Sequence, residues 1–151
     1  MEIRKATIQD ANRISYLIRK NTDGNPNDYD KAQLDAWKKY NTPAKIKKQL
    51  ANRDLFCAFE NEKLIGTIGL QGDKLVGFYI SFSKRKKGIG SKLYDFIEEE
   101  AKQRNIKTLY LTATPSAVSF YKSRNFQKIE DVIVTIYDID YEEIDMKKSL
   151  H

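Results

Sequence analysis

The chain has 151 residues, 40% of them hydrophobic and 11% aromatic, and this length predicts a single domain over residues 1–151 because it is short for two. Its 27 basic and 21 acidic side chains leave a net charge of +6, which favours an anionic partner such as a phosphorylated ligand, nucleic acid or a membrane surface. A lone cysteine, a lone histidine and no apolar run near the roughly 18 residues of a membrane span argue against a disulfide, a zinc site and a transmembrane segment, so we expect a soluble, cytoplasmic protein without a metal.

The first half of the chain predicts a strand, three helices and three further strands in an antiparallel meander. Thr7 and Asp10 have the spacing of a capping box at the start of the first helix, and turn-forming residues at 21–28 end it. Thr42 and Pro43 are typical of an N-cap and a first helical position. The predicted elements are a strand at 2–6, helices at 7–20, 29–41 and 42–52, and strands at 55–60, 63–70 and 75–82.

The second half centres on a basic glycine loop, SKRKKGIGSK at 83–92, in which four cations precede two glycines and the start of a helix. Asn105 is typical of a left-handed residue that ends a helix. The order of elements predicts an α+β fold with a strand, this loop and its helix at the centre. The predicted elements are a helix at 89–104, a strand at 108–113, a short helix at 114–125 and strand periodicity at 133–148.

The glycine loop has the features of an anion site. A strand that ends in a glycine turn and begins a helix exposes unpaired N–H groups at the positive end of the helix dipole. Gly88 and Gly90 let the backbone approach a ligand, and Arg85, Lys86 and Lys87 add positive charge, which favours a diphosphate. The alternative is a solvated basic turn whose glycines only permit tight packing.

The spacing of this loop excludes two phosphate motifs. A Walker A loop has Gly-Lys followed by Ser or Thr, whereas Gly90 is followed by Ser91 and Lys92. A dinucleotide fingerprint has a third glycine where Leu93 stands, and an acid about 20 residues later where the chain has Tyr110. The pattern that remains is R-x-x-G-x-G.

This R-x-x-G-x-G pattern at 85–90, directly after the strand FYISF at 78–82, resembles the pyrophosphate loop of the GCN5-related N-acetyltransferase (GNAT) superfamily. The segment PSAVSFYKSRNF at 115–126 is similar to a second family signature, a short helix that ends in Phe-Tyr and is followed by Gly-Phe. The order of elements over most of the chain is also similar. The resemblance implies a mixed, largely antiparallel central sheet with splayed central strands and flanking helices.

The chain departs from the family pattern at three positions. Phe82 replaces a frequent proline before the loop, and Asn125 replaces the glycine before the last Phe of the second signature. The asparagine change is mild, because asparagine tolerates the left-handed conformation. Thr114 takes the position of an asparagine that often contacts pantetheine in the family.

The resemblance implies acetyl-coenzyme A as the acyl donor. Pantetheine would lie along the strand edge formed by Phe78, Tyr79 and Ile80, with the Phe78 N–H as donor to the thioester oxygen. Tyr121 matches the family tyrosine that protonates the departing thiolate. From the residues alone, the Phe78 N–H is an ordinary ladder donor and Tyr121 a core tyrosine. The residues implied to hold the diphosphate are Arg85, Lys86, Lys87, Gly88, Ile89, Gly90 and Ser91.

The general base is not evident from the sequence. Lys74 stands where several relatives carry a glutamate, and Asp73 lies beside it in a predicted turn. The alternatives are a base that acts through water, or an amine that arrives neutral.

The segment 29–40 is expected to cover the acceptor, because this part varies in such folds. Tyr29 and Trp37 would form an apolar wall, although aromatic residues of helices more often serve packing. The acids expected to attract a cationic amine are Asp28, Asp30 and Asp35.

Two function classes follow. The first is an N-acetyltransferase in which a small amine, an amino acid or a peptide attacks acetyl-coenzyme A directly in a ternary complex. The second is a non-enzymatic basic domain that binds nucleic acid, which would need lysines and aromatics interleaved on one face. The lysines instead occur in every predicted helix beside matching acids, which favours the enzyme. We therefore expect an amine substrate, no nucleic-acid or membrane partner, and leave a homodimer open.

Overall fold

The computed structural model describes residues 1–23, 29–85 and 87–150. Its strands form one seven-stranded sheet in the order β1-β2-β3-β4-β5-β7-β6, in which β4 and β5 are parallel and all other neighbours antiparallel. This is the mixed, largely antiparallel α+β fold that the sequence predicted. The strands are β1 (Glu2–Lys5), β2 (Asp54–Glu60), β3 (Lys63–Gln71), β4 (Lys74–Ile80), β5 (Thr108–Ala113), β6 (Gln127–Ile136) and β7 (Ile139–Ser149). The helices are α1 (Ala11–Asp23), α2 (Lys31–Tyr40), α3 (Pro43–Leu50), α4 (Ile89–Gln103) and α5 (Val118–Ser123).

Helix α1 is fixed at its start by a buried carboxylate. Asp10 accepts the Thr7 N–H at 2.8 Å and two bonds from the Arg4 guanidinium, both at 2.9 Å. A short 3-10 turn at Ile8–Asp10 precedes α1. The predicted pairing of Thr7 with Asp10 is therefore confirmed, and it ties β1 to the first helix.

The predicted end of the first helix was wrong. Helix α1 continues to Asp23, three residues beyond its expected end at Lys20. Asn21 Nδ2 donates to the Leu17 carbonyl at 3.2 Å, and Thr22 Oγ1 donates to the Ile18 carbonyl at 2.9 Å. These polar side chains, of types that usually favour turns, thus donate hydrogen bonds to carbonyls one turn earlier in the helix and are buried.

Two apolar clusters lie on opposite faces of the sheet. One packs under α4 and α5 and includes Leu93, Tyr94 and Ile97. The other packs under α1 and α3 and includes Ile14 and Ile46. No helix in the described part of the chain is both long enough and apolar enough to cross a membrane.

A bulge interrupts the pairing of β3 with β4. Between two register pairs, β4 has two residues, Gly77 and Phe78, where β3 has only Ile68. Gly77 has a φ of +61°, which favours glycine, and its carbonyl accepts the buried Thr67 hydroxyl at 2.7 Å. The bulge turns the second half of β4 relative to the first. Its only sequence signal was a glycine inside a predicted strand.

Strands β4 and β5 share a single register pair, Lys74 with Tyr110. The Tyr110 N–H also donates to the Asp73 carbonyl at 3.0 Å. Beyond this point β4 has no paired residue on its β5 side, so the predicted splay of the central strands opens a cleft within the sheet.

The C-terminal region is a hairpin rather than one run of strand. Tyr137 and Asp138 have φ values of 50° and 62° and form the two-residue turn between β6 and β7. The sequence predicted continuous periodicity from 133 to 148, because neither residue is the glycine that usually marks such a turn. Strand β6 also begins at Gln127, earlier than expected.

Candidate active site

A cavity of about 850 Å³ occupies the cleft between β4 and β5 and extends beneath α1 and α2. Its loop end is lined by Arg85, Gly88, Gly90 and Ser91. Its aromatic end is lined by Tyr29, Trp37, Tyr40 and Glu143. The predicted site residues between the two ends are Phe78, Tyr79, Ile80, Thr114 and Tyr121.

Two of the predicted loop residues, Lys87 and Ile89, do not line this cavity. Lys87 is exposed beside it, and Ile89 is buried with its side chain in the core. Ile89 therefore offers the cleft only its backbone. Lys86 lies outside the described residues.

The loop end is shaped by glycine backbone. Gly88 is the N-cap of α4 with a φ of +79°, and a Cβ built there would meet nothing within 4 Å. At Gly90 a Cβ would lie 3.7 Å from Phe78 Cζ and 3.8 Å from Ile80 Cγ1, which is ordinary contact. The first turn of α4 thus presents its unpaired N–H groups next to open space, the geometry of an anion site.

Arg85 is held at the loop end by its surroundings. Its Nη2 donates to Asn21 Oδ1 of α1 at 2.6 Å, and its guanidinium lies 5.0 Å from the Phe82 ring centroid. Burial lowers the pKa of Arg85 from its usual value. Lys84, by contrast, pairs with Glu60 at 2.7 Å and is not among the residues that line the cleft. Lys84 and Arg85, neighbours in the sequence, therefore have different surroundings.

Alternate side chains of strand β4 point to opposite faces of the sheet. Phe78 and Ile80 pack toward the α4 cluster, whereas Tyr79 packs toward the α1 cluster. Strand β4 ends at Ile80 rather than at the predicted Phe82, a residue that is 58% exposed. The backbone edge from Phe78 to Ile80 faces the cleft because β5 has already separated from it.

Tyr121 is both packed and open to the cleft. The residue is 7% exposed, and its ring centroid lies 5.6 Å from that of Phe126 and 6.4 Å from that of Phe78. Burial raises the pKa of its phenol, so the hydroxyl stays protonated at neutral pH. Among the described residues, no side chain or carbonyl hydrogen-bonds that hydroxyl. The proton is therefore not committed to another protein group.

The second signature has the local geometry that its sequence predicted. Thr114 precedes a 3-10 turn at Pro115–Ala117 and lines the cleft, with its hydroxyl 3.5 Å from Ser116 Oγ. Asn125 has a φ of +71°, so it adopts the left-handed conformation expected of the glycine it replaces.

The aromatic end depends on the docking of α2 onto β7. The Tyr141 hydroxyl donates to the Gln33 carbonyl at 2.6 Å, and Gln33 Nε2 donates to the Asp140 carbonyl at 2.8 Å. The Tyr29 and Trp37 rings make edge contacts with Tyr141 at centroid distances of 5.4 and 6.2 Å. Both residues thus combine packing with a place in the cleft wall.

The suggested acids that the structure describes do not line the cleft. Asp30 caps α2 by accepting the Gln33 N–H at 2.8 Å, and Asp35 pairs with Lys31 at the surface. Asp73 lies in the exposed turn between β3 and β4. Asp28 lies outside the described residues. No cluster of three or more metal-ligating side chains occurs in the described ranges.

Sequence reasoning missed Glu143, a residue of β7. It lines the cleft, and its Oε2 accepts the Tyr29 hydroxyl at 3.3 Å. Burial raises the pKa of this carboxyl. The only sequence signal was strand alternation, which places Tyr141, Glu143 and Asp145 on one face of β7.

Comparison with known proteins agrees with this architecture. The family model of the acetyltransferase (GNAT) domain matches residues 25–149. A GCN5-related N-acetyltransferase from Rhodopseudomonas palustris is 22% identical with a TM-score of 0.92, and the match covers 99% of this chain and 95% of that one. PaiA N-acetyltransferase from Thermoplasma acidophilum, solved with coenzyme A, is 22% identical with a TM-score of 0.81 over 98% of each chain.

An aminoglycoside 6'-N-acetyltransferase complexed with coenzyme A is 17% identical with a TM-score of 0.66, over 100% of this chain and 98% of that one. At these identities the structural matches establish the fold alone. No curated protein sequence matches this chain significantly.

Proposed function

Since the chain belongs to the GNAT acetyltransferase family, we propose that it transfers the acetyl group of acetyl-coenzyme A to a primary amine by direct attack in a ternary complex. The observation that carries the proposal is the cleft itself. It joins a helix N-terminus with a glycine cap to an aromatic wall through a free strand edge. We further propose that residues 1–151 act as one catalytic domain in the cytoplasm.

The loop end suits the diphosphate of coenzyme A. Unpaired N–H groups at the start of α4 would donate hydrogen bonds to phosphate oxygens, and the open space at Gly88 leaves room for them. Arg85 and Lys87 would contribute positive charge from the described loop, and Lys86 would add to it. Pantetheine would follow the edge from Phe78 to Ile80 and pass Thr114.

The middle of the cleft supplies groups for the chemistry. The bulge leaves Phe78 without a register partner on β3, and its N–H would donate to the thioester oxygen as charge develops there. Tyr121 would give its phenol proton to the sulfur as the C–S bond breaks. Its raised pKa keeps the phenol neutral, so the proton is present when the C–S bond breaks.

The aromatic end would hold the acceptor. Tyr29 and Trp37 offer flat apolar surface beside a carboxylate, which suits an amine carried on an apolar body. The acceptor would be a small amine, an amino acid or a peptide.

Thermal unfolding with coenzyme A tests the donor site. A ligand at about 100 times its dissociation constant stabilises a protein by about 2.7 kcal/mol, which raises the midpoint of a domain of this size by roughly 5–10 °C. Pantetheine, which lacks the diphosphate, is the matched control and should give a much smaller shift. No shift at millimolar coenzyme A would contradict the proposal.

Product formation tests the transfer. Acetyl-coenzyme A is incubated with phenethylamine, spermidine, free amino acids and a short peptide, and thiol release is followed together with the mass of the acetylated amine. We expect amine-dependent thiol release and a product heavier by one acetyl group. Thiol release that is equal with and without every amine would contradict acetyl transfer to amines.

A further inference from the structure

One carboxylate faces the cleft. Among the described residues that line it, Glu143 is the only acid. It projects from β7 at the aromatic end, on the face of the sheet that carries Tyr141 and Asp145. A fixed anion in a partly buried cavity attracts a cation, and a primary ammonium is the cation that the proposed reaction brings.

The groups around Glu143 control its charge. Burial is the largest effect and raises the pKa of the carboxyl, and the negative charge of Asp145 raises it further. The Tyr29 hydrogen bond and the positive charge of Lys74 lower it.

Two phenols also face this carboxylate. Burial raises the pKa values of Tyr79 of β4 and Tyr141 of β7, and the negative charge of Glu143 raises them further, so both remain neutral at neutral pH. Among the described residues at the aromatic end, Glu143 is therefore the one carboxyl group, and its pKa is raised toward neutral pH.

We propose that Glu143 binds the acceptor's ammonium and takes one proton from it, while Tyr29 positions the carboxylate. This inference rests on the proposed acetyl transfer. Tyr29 holds Oε2 through its hydroxyl and leaves the other carboxylate oxygen for the amine.

The proton balance of the step is complete. An ammonium N–H bond breaks, its proton forms an O–H bond on Glu143, and the nitrogen keeps the electron pair. That pair forms the C–N bond to the thioester carbonyl carbon, and the C–S bond then breaks with its electrons on sulfur. Tyr121 protonates the sulfur and regains a proton from the nitrogen as the amide forms. Glu143 afterwards releases its proton to water, so the net products are amide, thiol and one proton.

The test compares Glu143→Gln with Glu142→Gln, a matched change at the exposed neighbour on the opposite face of β7. With phenethylamine and spermidine as acceptors, Glu143→Gln should lower kcat/KM at pH 7 by roughly 10² to 10⁴-fold, the usual contribution of a general base. Its coenzyme A affinity and melting temperature should match those of Glu142→Gln. The control should retain wild-type kcat/KM.

The pH profile distinguishes a proton acceptor from a structural residue. Without Glu143 only amine that arrives neutral reacts, so kcat/KM of Glu143→Gln should rise about tenfold per pH unit toward the amine pKa near 10. Wild-type kcat/KM should instead reach a plateau above the pKa of Glu143.

A positioning role for Tyr29 predicts a shift of the acid limb. Its hydrogen bond favours the ionised carboxylate, so Tyr29→Phe should raise the pKa of Glu143 and move the acid limb of kcat/KM to higher pH. A carboxyl ¹³C NMR titration, with the Glu143 signal assigned by its absence in Glu143→Gln, reports the same shift without any acceptor.

The outcomes separate the two proposals. If wild type acetylates an amine and Glu143→Gln has the same pH profile, the inference is wrong and acetyl transfer stands. A loss of melting temperature in Glu143→Gln that accounts for the lost activity also overturns the inference. If wild type binds coenzyme A and acetylates no amine, the proposed acetyl transfer to amines fails and the inference fails with it.

Discussion

The loop end of the cleft is built from one segment of the chain, whereas the aromatic end is assembled from several. Arg85, Gly88, Gly90 and Ser91 lie within seven residues at the junction of β4 and α4. The hydrogen bond from Tyr29 to Glu143 joins residues 114 positions apart. The proposed anion site is thus encoded by local backbone geometry, but the proposed acceptor site depends on how α2 docks on β7.

The difference also concerns what each end offers a ligand. The loop end offers backbone N–H groups, which are the same in any sequence that adopts this turn. The aromatic end offers side chains, Trp37, Tyr29 and a carboxylate, whose identity determines which acceptor fits. Changes at the loop end should therefore alter donor affinity, and changes at the aromatic end should alter acceptor use.

Tyr121→Phe should have the largest effect, because this residue lies where the two ends meet. Turnover should fall by roughly 10² to 10⁴-fold with saturating acetyl-coenzyme A, since phenylalanine keeps the ring but has no proton to give. Coenzyme A affinity and melting temperature should change little.

Tyr94→Phe is the matched control for this prediction. The Tyr94 hydroxyl donates to Glu98 at 2.7 Å and lies in the core, outside the cleft. It should lower the melting temperature and retain turnover. Wild-type turnover by folded Tyr121→Phe at every pH would show that Tyr121 serves only packing.

Asp10→Asn tests the anchor of α1, which carries the Asn21 partner of Arg85 at the loop end. The Arg4 hydrogen bonds and charge lower the pKa of Asp10 from 3.8 to about 2, so its ionised form contributes about 2 kcal/mol of stability above pH 4. Because the folded pKa is depressed, this stability is present at neutral pH and is lost as pH falls through about 2.

Urea unfolding at several pH values measures this effect. Asp10→Asn should be less stable than wild type by about that amount at pH 7, and the gap should close between pH 4 and 2. Asp35→Asn, which removes a surface partner of Lys31, should change stability much less, because solvent screens an exposed pair. A constant gap at all pH values would assign the loss to packing rather than to the charge.

Gly88→Ala should weaken donor binding selectively. Alanine at a φ of +79° costs roughly 1–2 kcal/mol, so a loop that relaxes to avoid it should bind coenzyme A about 5 to 30 times more weakly. Gly72→Ala is a close control, because Gly72 has a φ of +61°, equally open space and a position in the β3–β4 turn away from the cleft. Calorimetry should find equal stability losses in the two variants and weaker coenzyme A binding only at Gly88. Equal affinities would place the diphosphate elsewhere.

Lys87→Ala should have the smallest effect. An exposed cation beside the loop end adds a screened attraction, so coenzyme A affinity should fall by about threefold at low salt and converge with wild type at 0.5 M salt. Lys92→Ala, on the exposed face of α4, should leave affinity unchanged even at low salt. A salt-independent loss at Lys87 would indicate a direct, desolvated contact with phosphate.

The loop end and the element order could be predicted from the sequence because their signals are local. The capping pair Thr7 and Asp10, the left-handed residues Asn105 and Asn125, and the glycine cap at Gly88 each depend on a few neighbouring residues. The β2 to β4 meander followed from alternation and short turns. The family membership followed from two such local motifs.

Other features had weak or misleading local signals. The bulge at Gly77 depends on a hydrogen bond from Thr67, ten residues away on another strand. The turn at Tyr137 and Asp138 lacks its usual glycine, and Asn21 continues a helix that its residue type would normally end. In each case a contact supplied by the fold overrides the local preference.

The sequence by itself determined the strand, glycine loop and helix that form the proposed anion site, since backbone dihedrals and helix capping are decided within a few residues. Only the tertiary structure decided which acid faces the cleft. The sequence does not distinguish the two acids Glu143 and Asp30. In the structure Asp30 caps a helix, and Glu143 enters the cavity because β7 lies beside β5 and under α2. Burial then raises the pKa of Glu143, and burial is a property of the packed molecule rather than of the residue.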